Sequence, residues 1–134
     1  MYKVCKQLNF SYAHRLLYYP GKCAHLHGHN ALVEIELKAE QLDTRGLLID
    51  FNDIKDIANC WIDQTLDHKT ILCKQDPLAK LLADFGEPLF LMDENPTAEA
   101  LAKLMLEALR EKGLAVSQVR IWETPSSCAV YEES

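Results

Sequence analysis

The chain contains no apolar stretch approaching the roughly 20 residues that a membrane-spanning helix needs. Its first residues, Met1-Tyr2-Lys3-Val4-Cys5-Lys6, alternate polar and apolar, so the unbroken apolar core of a secretion signal is missing as well. There is no run of Lys or Arg, and 20 acidic against 14 basic residues leave a formal net charge of −6. That balance excludes nucleic acid as the expected partner, because phosphate backbones are bound by basic patches. A small anionic ligand stays compatible, since a metal and two or three local cations can dominate one pocket. The five cysteines (Cys5, Cys23, Cys60, Cys73, Cys128) are scattered and odd in number. They suit reduced thiols in the cytoplasm better than a disulfide framework. Repeats, linkers and low-complexity segments are absent. With 134 residues, 49% hydrophobic and 25% charged, the chain reads as one soluble globular domain over residues 1–134. A chain of that size buries about two-thirds of its unfolded surface.

What is present is a concentration of imidazole. Three of the five histidines fall in Cys23-Ala24-His25-Leu26-His27-Gly28-His29. Residues two apart share one face of a strand, so His27 and His29 present their rings side by side. Paired imidazoles at that spacing make a half-site for a borderline metal such as zinc. Three imidazoles with one open position make a catalytic zinc; three imidazoles with a thiolate make a closed structural one.

Hydrophobic periodicity places these residues. Residues 2–14 read as a strand with Leu8, Phe10, Tyr12 and His14 on one parity, and 15–24 as a loop. Residues 26–40 are the clearest strand, with Ala31, Val33, Ile35 and Leu37 on the parity of His27 and His29. Asp43-Thr44-Arg45-Gly46 is a turn, and Asp50 caps a helix running to about residue 63. Residues 64–95 are less regular, with a short helix near 77–85. Asn95-Pro96 reads as cap and first residue of a helix that stops at Gly113. Two strands, 115–124 and 127–132, follow across a Pro125-Ser126 turn. The expected fold is α+β: strand-strand-helix-helix-strand-strand, an antiparallel four-stranded sheet with two helices on one face.

His14, His27 and Glu123 each stand near a strand end on an apolar parity, where an unpartnered polar group costs about 1–3 kcal/mol. Several such groups on neighbouring strands converge readily on one site. His14 and His25 compete as third ligand to His27 and His29, and spacing does not choose between them. Cys23 reads as a small buried hydrophobe, a fourth ligand or a reactive thiol whose pKa Lys22 and a metal would lower. Asp67-His68 sets a carboxylate beside an imidazole, the arrangement of a general acid–base or of a plain helix end. Glu99 in a first helical turn is explained by the helix dipole alone. Glu123 wants a partner with two adjacent donors, such as the N–H edge of a guanine-like ring.

Together these residues resemble the 6-pyruvoyl-tetrahydropterin synthase family over nearly the whole chain. The resemblance rests on Phe10-Ser11-Tyr12-Ala13-His14-Arg15-Leu16, on Cys23 followed after three residues by His27-Gly28-His29-Asn30, and on Gly46-Leu47-Leu48-Ile49-Asp50-Phe51. It continues through Leu66-Asp67-His68, Asn95-Pro96-Thr97-Ala98-Glu99 and Glu123-Thr124. The three-residue gap after Cys23 is more like the bacterial 6-carboxytetrahydropterin synthase branch. Ala31, where an aromatic often stands, and a longer insert around Asp76–Met92 depart from the usual pattern.

The resemblance implies a tunnelling fold assembling as a hexamer of two stacked trimeric rings, with active sites between subunits. It implies zinc on His14, His27 and His29, a catalytic thiol at Cys23, an acid–base pair at Asp67 and His68, and a pterin anchor at Glu123. Thr97 and Glu99 match positions lining the pterin pocket. The implied substrate is 7,8-dihydroneopterin triphosphate, losing triphosphate and, in the carboxy branch, acetaldehyde on the way to deazapurines and queuosine. Lys22, Arg15 and Lys69 are the expected cations for the triphosphate. Two rivals remain: the same fold stopping at 6-pyruvoyl-tetrahydropterin, and a non-catalytic zinc or pterin-binding protein with Cys23 as structural ligand.

Overall fold

A computed structural model describes residues 1–134. The sheet is built outward from β1 (Tyr2–His14) and β2 (His27–Ala39), which pair antiparallel along their whole length from Tyr2↔Ala39 to His14↔His27. Strict alternation makes this possible: Leu8, Phe10, Tyr12 and His14 on β1, and Ala31, Val33, Ile35 and Leu37 on β2, are all buried. The opposite face is polar, with Gln7 bonded to Glu34 and Ser11 to Asn30 across the pair.

The strands β3 (Lys69–Cys73), β4 (Leu89–Met92), β5 (Val116–Thr124) and β6 (Ser127–Glu132) complete the order β4-β3-β1-β2-β5-β6. The sheet therefore has six strands rather than the expected four, and it is mixed, because β3 pairs parallel with both β1 and β4. These extra strands fall in the stretch expected to be irregular. Ile71, Leu72 and Cys73 are buried in succession, and a short strand covered on both faces carries no alternation to read.

Three helices accompany the sheet. In α1 (Phe51–Thr65), Ile54, Ala58 and Ile62 face inward, and Asp50 caps it by accepting from the Asn52 N–H. The short α2 (Leu78–Asp84) lies within the expected 77–85. In α3 (Ala98–Glu111), Leu101, Ala102, Met105, Leu106 and Leu109 are buried. The residues of α1, α3 and the apolar sheet face share one core of 22 buried side chains. No helix is long and apolar enough to cross a membrane. The cap of α3 is Thr97, whose hydroxyl accepts from Ala100 N–H at 3.0 Å, and not Asn95.

Asn95 has a different partner. Its amide donates to Leu17 O and its carbonyl accepts from Leu17 N–H, both at 2.9 Å, pinning the loop after β1. Leu16 N–H donates to Cys23 O at 2.8 Å, which closes that loop on itself. At the loop's start Arg15 grips Asp76 through two hydrogen bonds of 2.8 and 2.5 Å, and the Asp76 side chain is fully buried. Arg15 foremost holds the Asp76 carboxyl below the usual carboxylate range, against the opposing effect of burial. Because that shift is downward, the pair's contribution is complete above about pH 4 and is lost as pH falls through the lowered value. Asp76→Asn should cost about 2–3 kcal/mol in urea unfolding at pH 7, less than for a wholly buried pair because Arg15 is partly exposed. The gap between variant and parent should shrink as pH drops below about 4.

Candidate functional site

At the end of β1 and the start of β2 the core face of the sheet stops being apolar. His14, His27 and His29 follow there on the buried parity, their ligand nitrogens all within 4.8 Å of one another. The ring centroids lie 4.6 Å apart for His14 and His27 and 5.1 Å for each of the other pairs. Gly28 permits this convergence, since a Cβ there would lie 3.1 Å from the Tyr12 carbonyl oxygen of the neighbouring strand.

The donor chemistry suits a metal. His14 donates from Nδ1 to Pro96 O at 2.7 Å, and His27 donates from Nδ1 to His25 O at 2.8 Å. Carbonyl acceptors at Nδ1 fix the tautomer and leave the Nε2 lone pairs for a ligand. Burial, the largest influence on His14, lowers its pKa and favours the neutral ring that coordination requires. His25 is exposed and lies outside the cluster, contributing its backbone carbonyl instead.

Cys23 sits half-buried on a single 3₁₀ turn, Lys22–Ala24. Its sulfur is not part of the histidine cluster. It does line the same cavity, about 430 Å³ in volume, together with His14, His27, Thr97, Glu99 and Glu123. Glu123 reaches into the cluster: its Oε2 lies 3.4 Å from Nε2 of both His14 and His29 and accepts from the Tyr12 hydroxyl at 3.1 Å. Burial first, and the Glu123 charge second, push the Tyr12 phenol well above its ordinary pKa.

Asp67 and His68 lie elsewhere. They follow α1, and His68 occupies left-handed backbone at φ 60°, its ring held by Asp67 Oδ2 at 2.8 Å from Nδ1. Asp67 also accepts from Ser11 N–H at 2.9 Å. Burial alone would raise its carboxyl, but the Ser11 and His68 hydrogen bonds outweigh it and leave the pKa lowered. The His68 side chain is 81% exposed. It faces a depression lined by Ser11, Tyr12, Ala13, His29, Asn30 and Thr70, which has no residue in common with the Cys23 cavity. Within one chain His68 and the thiol line separate cavities.

Of the cations expected near a triphosphate, Arg15 is occupied by Asp76. Lys69 donates to the Gln64 carbonyl and lines the His68 depression, and Lys22 is exposed beside Cys23. Tyr12, Asn95 and Asp76 were not evident as site residues. Tyr12 continues an apolar parity, and the partners of all three lie more than 60 residues away.

A family model described as 6-pyruvoyl tetrahydropterin synthase matches residues 3–134. The 6-carboxy-5,6,7,8-tetrahydropterin synthase of Rickettsia felis is 34% identical over 94% of this chain and 96% of its own length. That of Haemophilus influenzae is 31% identical over 99% and 100%. An uncharacterized protein from Wolinella succinogenes superposes with a TM-score of 0.85 at 27% identity, covering 99% of this chain and 98% of the other. The 6-pyruvoyl tetrahydropterin synthase of Caenorhabditis elegans gives 0.75 at 26% identity, covering 99% and 96%. The tunnelling fold implied by the sequence resemblance is the fold of this chain.

Proposed function

The chain belongs to the 6-pyruvoyl tetrahydropterin synthase family, and we propose that it is a zinc-dependent lyase. It would convert 7,8-dihydroneopterin triphosphate and water into 6-carboxy-5,6,7,8-tetrahydropterin, triphosphate and acetaldehyde. The observation that carries this reading is the convergence of three imidazoles, two of which, His14 and His27, line one cavity with Cys23, Thr97, Glu99 and Glu123. The names of the two bacterial relatives favour the carboxy product, as does the three-residue gap between Cys23 and His27.

His14, His27 and His29 would hold the zinc. When bound, it supplies a Lewis acid that polarises the substrate's side-chain hydroxyls and acidifies neighbouring C–H and O–H bonds. Cys23, half-buried at the cavity wall, removes a proton from that side chain as a thiolate. Glu123 receives the adjacent N–H groups of the pterin ring, and Thr97 and Glu99 border the ring's position. His68, oriented by Asp67, delivers or accepts the second proton. Its exposure, and its depression apart from the Cys23 cavity, support a site completed by Asp67 and His68 of another copy. The assembly we assign is a homohexamer of two stacked trimers in the cytoplasm, with the product consumed in deazapurine and queuosine synthesis.

Incubating zinc-loaded protein with 7,8-dihydroneopterin triphosphate, followed by mass spectrometry, tests the reading. The expected products are 6-carboxy-5,6,7,8-tetrahydropterin and acetaldehyde. A 6-pyruvoyl product without acetaldehyde assigns the chain to the sister reaction, and no release of triphosphate overturns the enzyme reading.

A further inference from the structure

Glu123 ends in a carboxylate on three rotatable bonds, yet ring recognition requires that carboxylate to hold one plane. One side chain restrains it. The Tyr12 hydroxyl, reaching across β2 from β1 to β5, donates to Oε2 at 3.1 Å. No hydrogen bond from the chain reaches Oε1. The Tyr12 ring cannot follow a wandering partner. It is 4% exposed, stacked on Phe10 with centroids 5.1 Å apart and 22° between planes, and set edge-on to His14 at 5.0 Å.

The position of Oε2 shows what the restraint is worth. It already lies 3.4 Å from Nε2 of His14 and of His29. Those distances give it no second hydrogen bond, because the Nδ1 bond of His14 to Pro96 O leaves a lone pair on the facing Nε2. Without the Tyr12 hydroxyl the carboxylate would have no donor from the chain and would rotate freely. A hydroxyl donor uses one lone pair of Oε2 and leaves the others, with all of Oε1, to accept from a ligand.

We infer that Tyr12 is a positioning residue for the Glu123 carboxylate: it fixes the orientation in which Glu123 accepts two adjacent N–H groups of a bound pterin-type ring. The inference rests on the anchoring role proposed for Glu123. A purely structural Tyr12, filling the core beside Phe10, would be replaceable by Phe without consequence for ligand binding. A positioning Tyr12 is not.

The test is a fluorescence titration of neopterin, which carries the ring without phosphates, against the zinc-loaded protein in four forms: parent, Tyr12→Phe, Glu123→Ala and the double variant. Phe keeps the ring packing, so zinc stoichiometry should be unchanged and the thermal midpoint should move little. Tyr12→Phe should weaken neopterin binding about tenfold, the scale of losing a hydrogen bond to a charged group. Glu123→Ala should weaken it more, and adding Tyr12→Phe to Glu123→Ala should cost nothing further, because the hydroxyl acts only through that carboxylate. In turnover of the triphosphate substrate, Tyr12→Phe should raise KM with kcat nearly constant, since ring contacts are the same in ground and transition states. Unchanged neopterin affinity in Tyr12→Phe, or an equal loss in both backgrounds, would overturn the inference while leaving the anchor intact. Unchanged affinity in Glu123→Ala would instead remove the anchor itself.

Discussion

Replacing Cys23 with Ala is expected to lower turnover of 7,8-dihydroneopterin triphosphate by about 10³-fold or more, at the upper end of what a positioned acid–base group supplies. Zinc content, assembly and thermal midpoint should stay close to those of the parent. The reasoning is geometric. The three imidazoles form the cluster without the sulfur, so removing Sγ takes nothing from the donor set. Cys23 is half-buried on a 3₁₀ turn closed by backbone, the Leu16 N–H donating to Cys23 O. Both the turn and that hydrogen bond survive truncation to Ala, and the lost burial is small. If Cys23 instead completed a closed structural site, the same substitution would strip the metal and unfold the protein. Parallel assays of zinc content and activity separate the two outcomes.

The second large effect concerns His68. Its replacement by Ala should cost about 10²–10⁴-fold, with little effect on stability, since the ring is mostly exposed and bonded only to Asp67. Co-expressing differently tagged Cys23→Ala and His68→Ala chains and isolating the hybrids should restore activity. The two groups line separate cavities in one chain, His68 sharing its depression with Ser11 and Asn30. The Cys23 cavity opens beside His14 and His27 on the core face. A site composed of Cys23 from one copy and His68 from another is intact in some hybrid positions. A site built within a single chain is intact in none, and hybrids would then stay inactive.

The parts of the fold that alternate strictly were legible in the sequence. The apolar parity of β1 and β2 ran straight into His14, His27 and His29, and the antiparallel register then set His14 opposite His27. The same rule put Glu123 on the parity of Val119 and Ile121, and it meets the histidines from β5. What stayed hidden depends on contacts without a local pattern. β3 and β4 are short and parallel, and β3 is buried in succession through Ile71, Leu72 and Cys73. Asn95 looked like a helix cap, but its amide and carbonyl are both committed to Leu17, and the hydroxyl of Thr97 takes the capping position. Arg15 looked available for an anion, yet it is paired with a buried Asp76 from the 64–95 stretch. The His14-or-His25 ambiguity lay beyond spacing because both have the right parity. Only the pairing of β1 with β2 brings His14 to the cluster, while His25 lies two residues before the pairing begins at His27.

The account depends most on three nitrogens holding one ion while the neighbouring sulfur stays free to move a proton. Zinc-edge X-ray absorption on stoichiometrically loaded protein measures this directly. The predicted first shell contains only nitrogen and oxygen at about 2.0–2.1 Å. A sulfur scatterer at about 2.3 Å would place Cys23 on the metal and contradict the proposed chemistry.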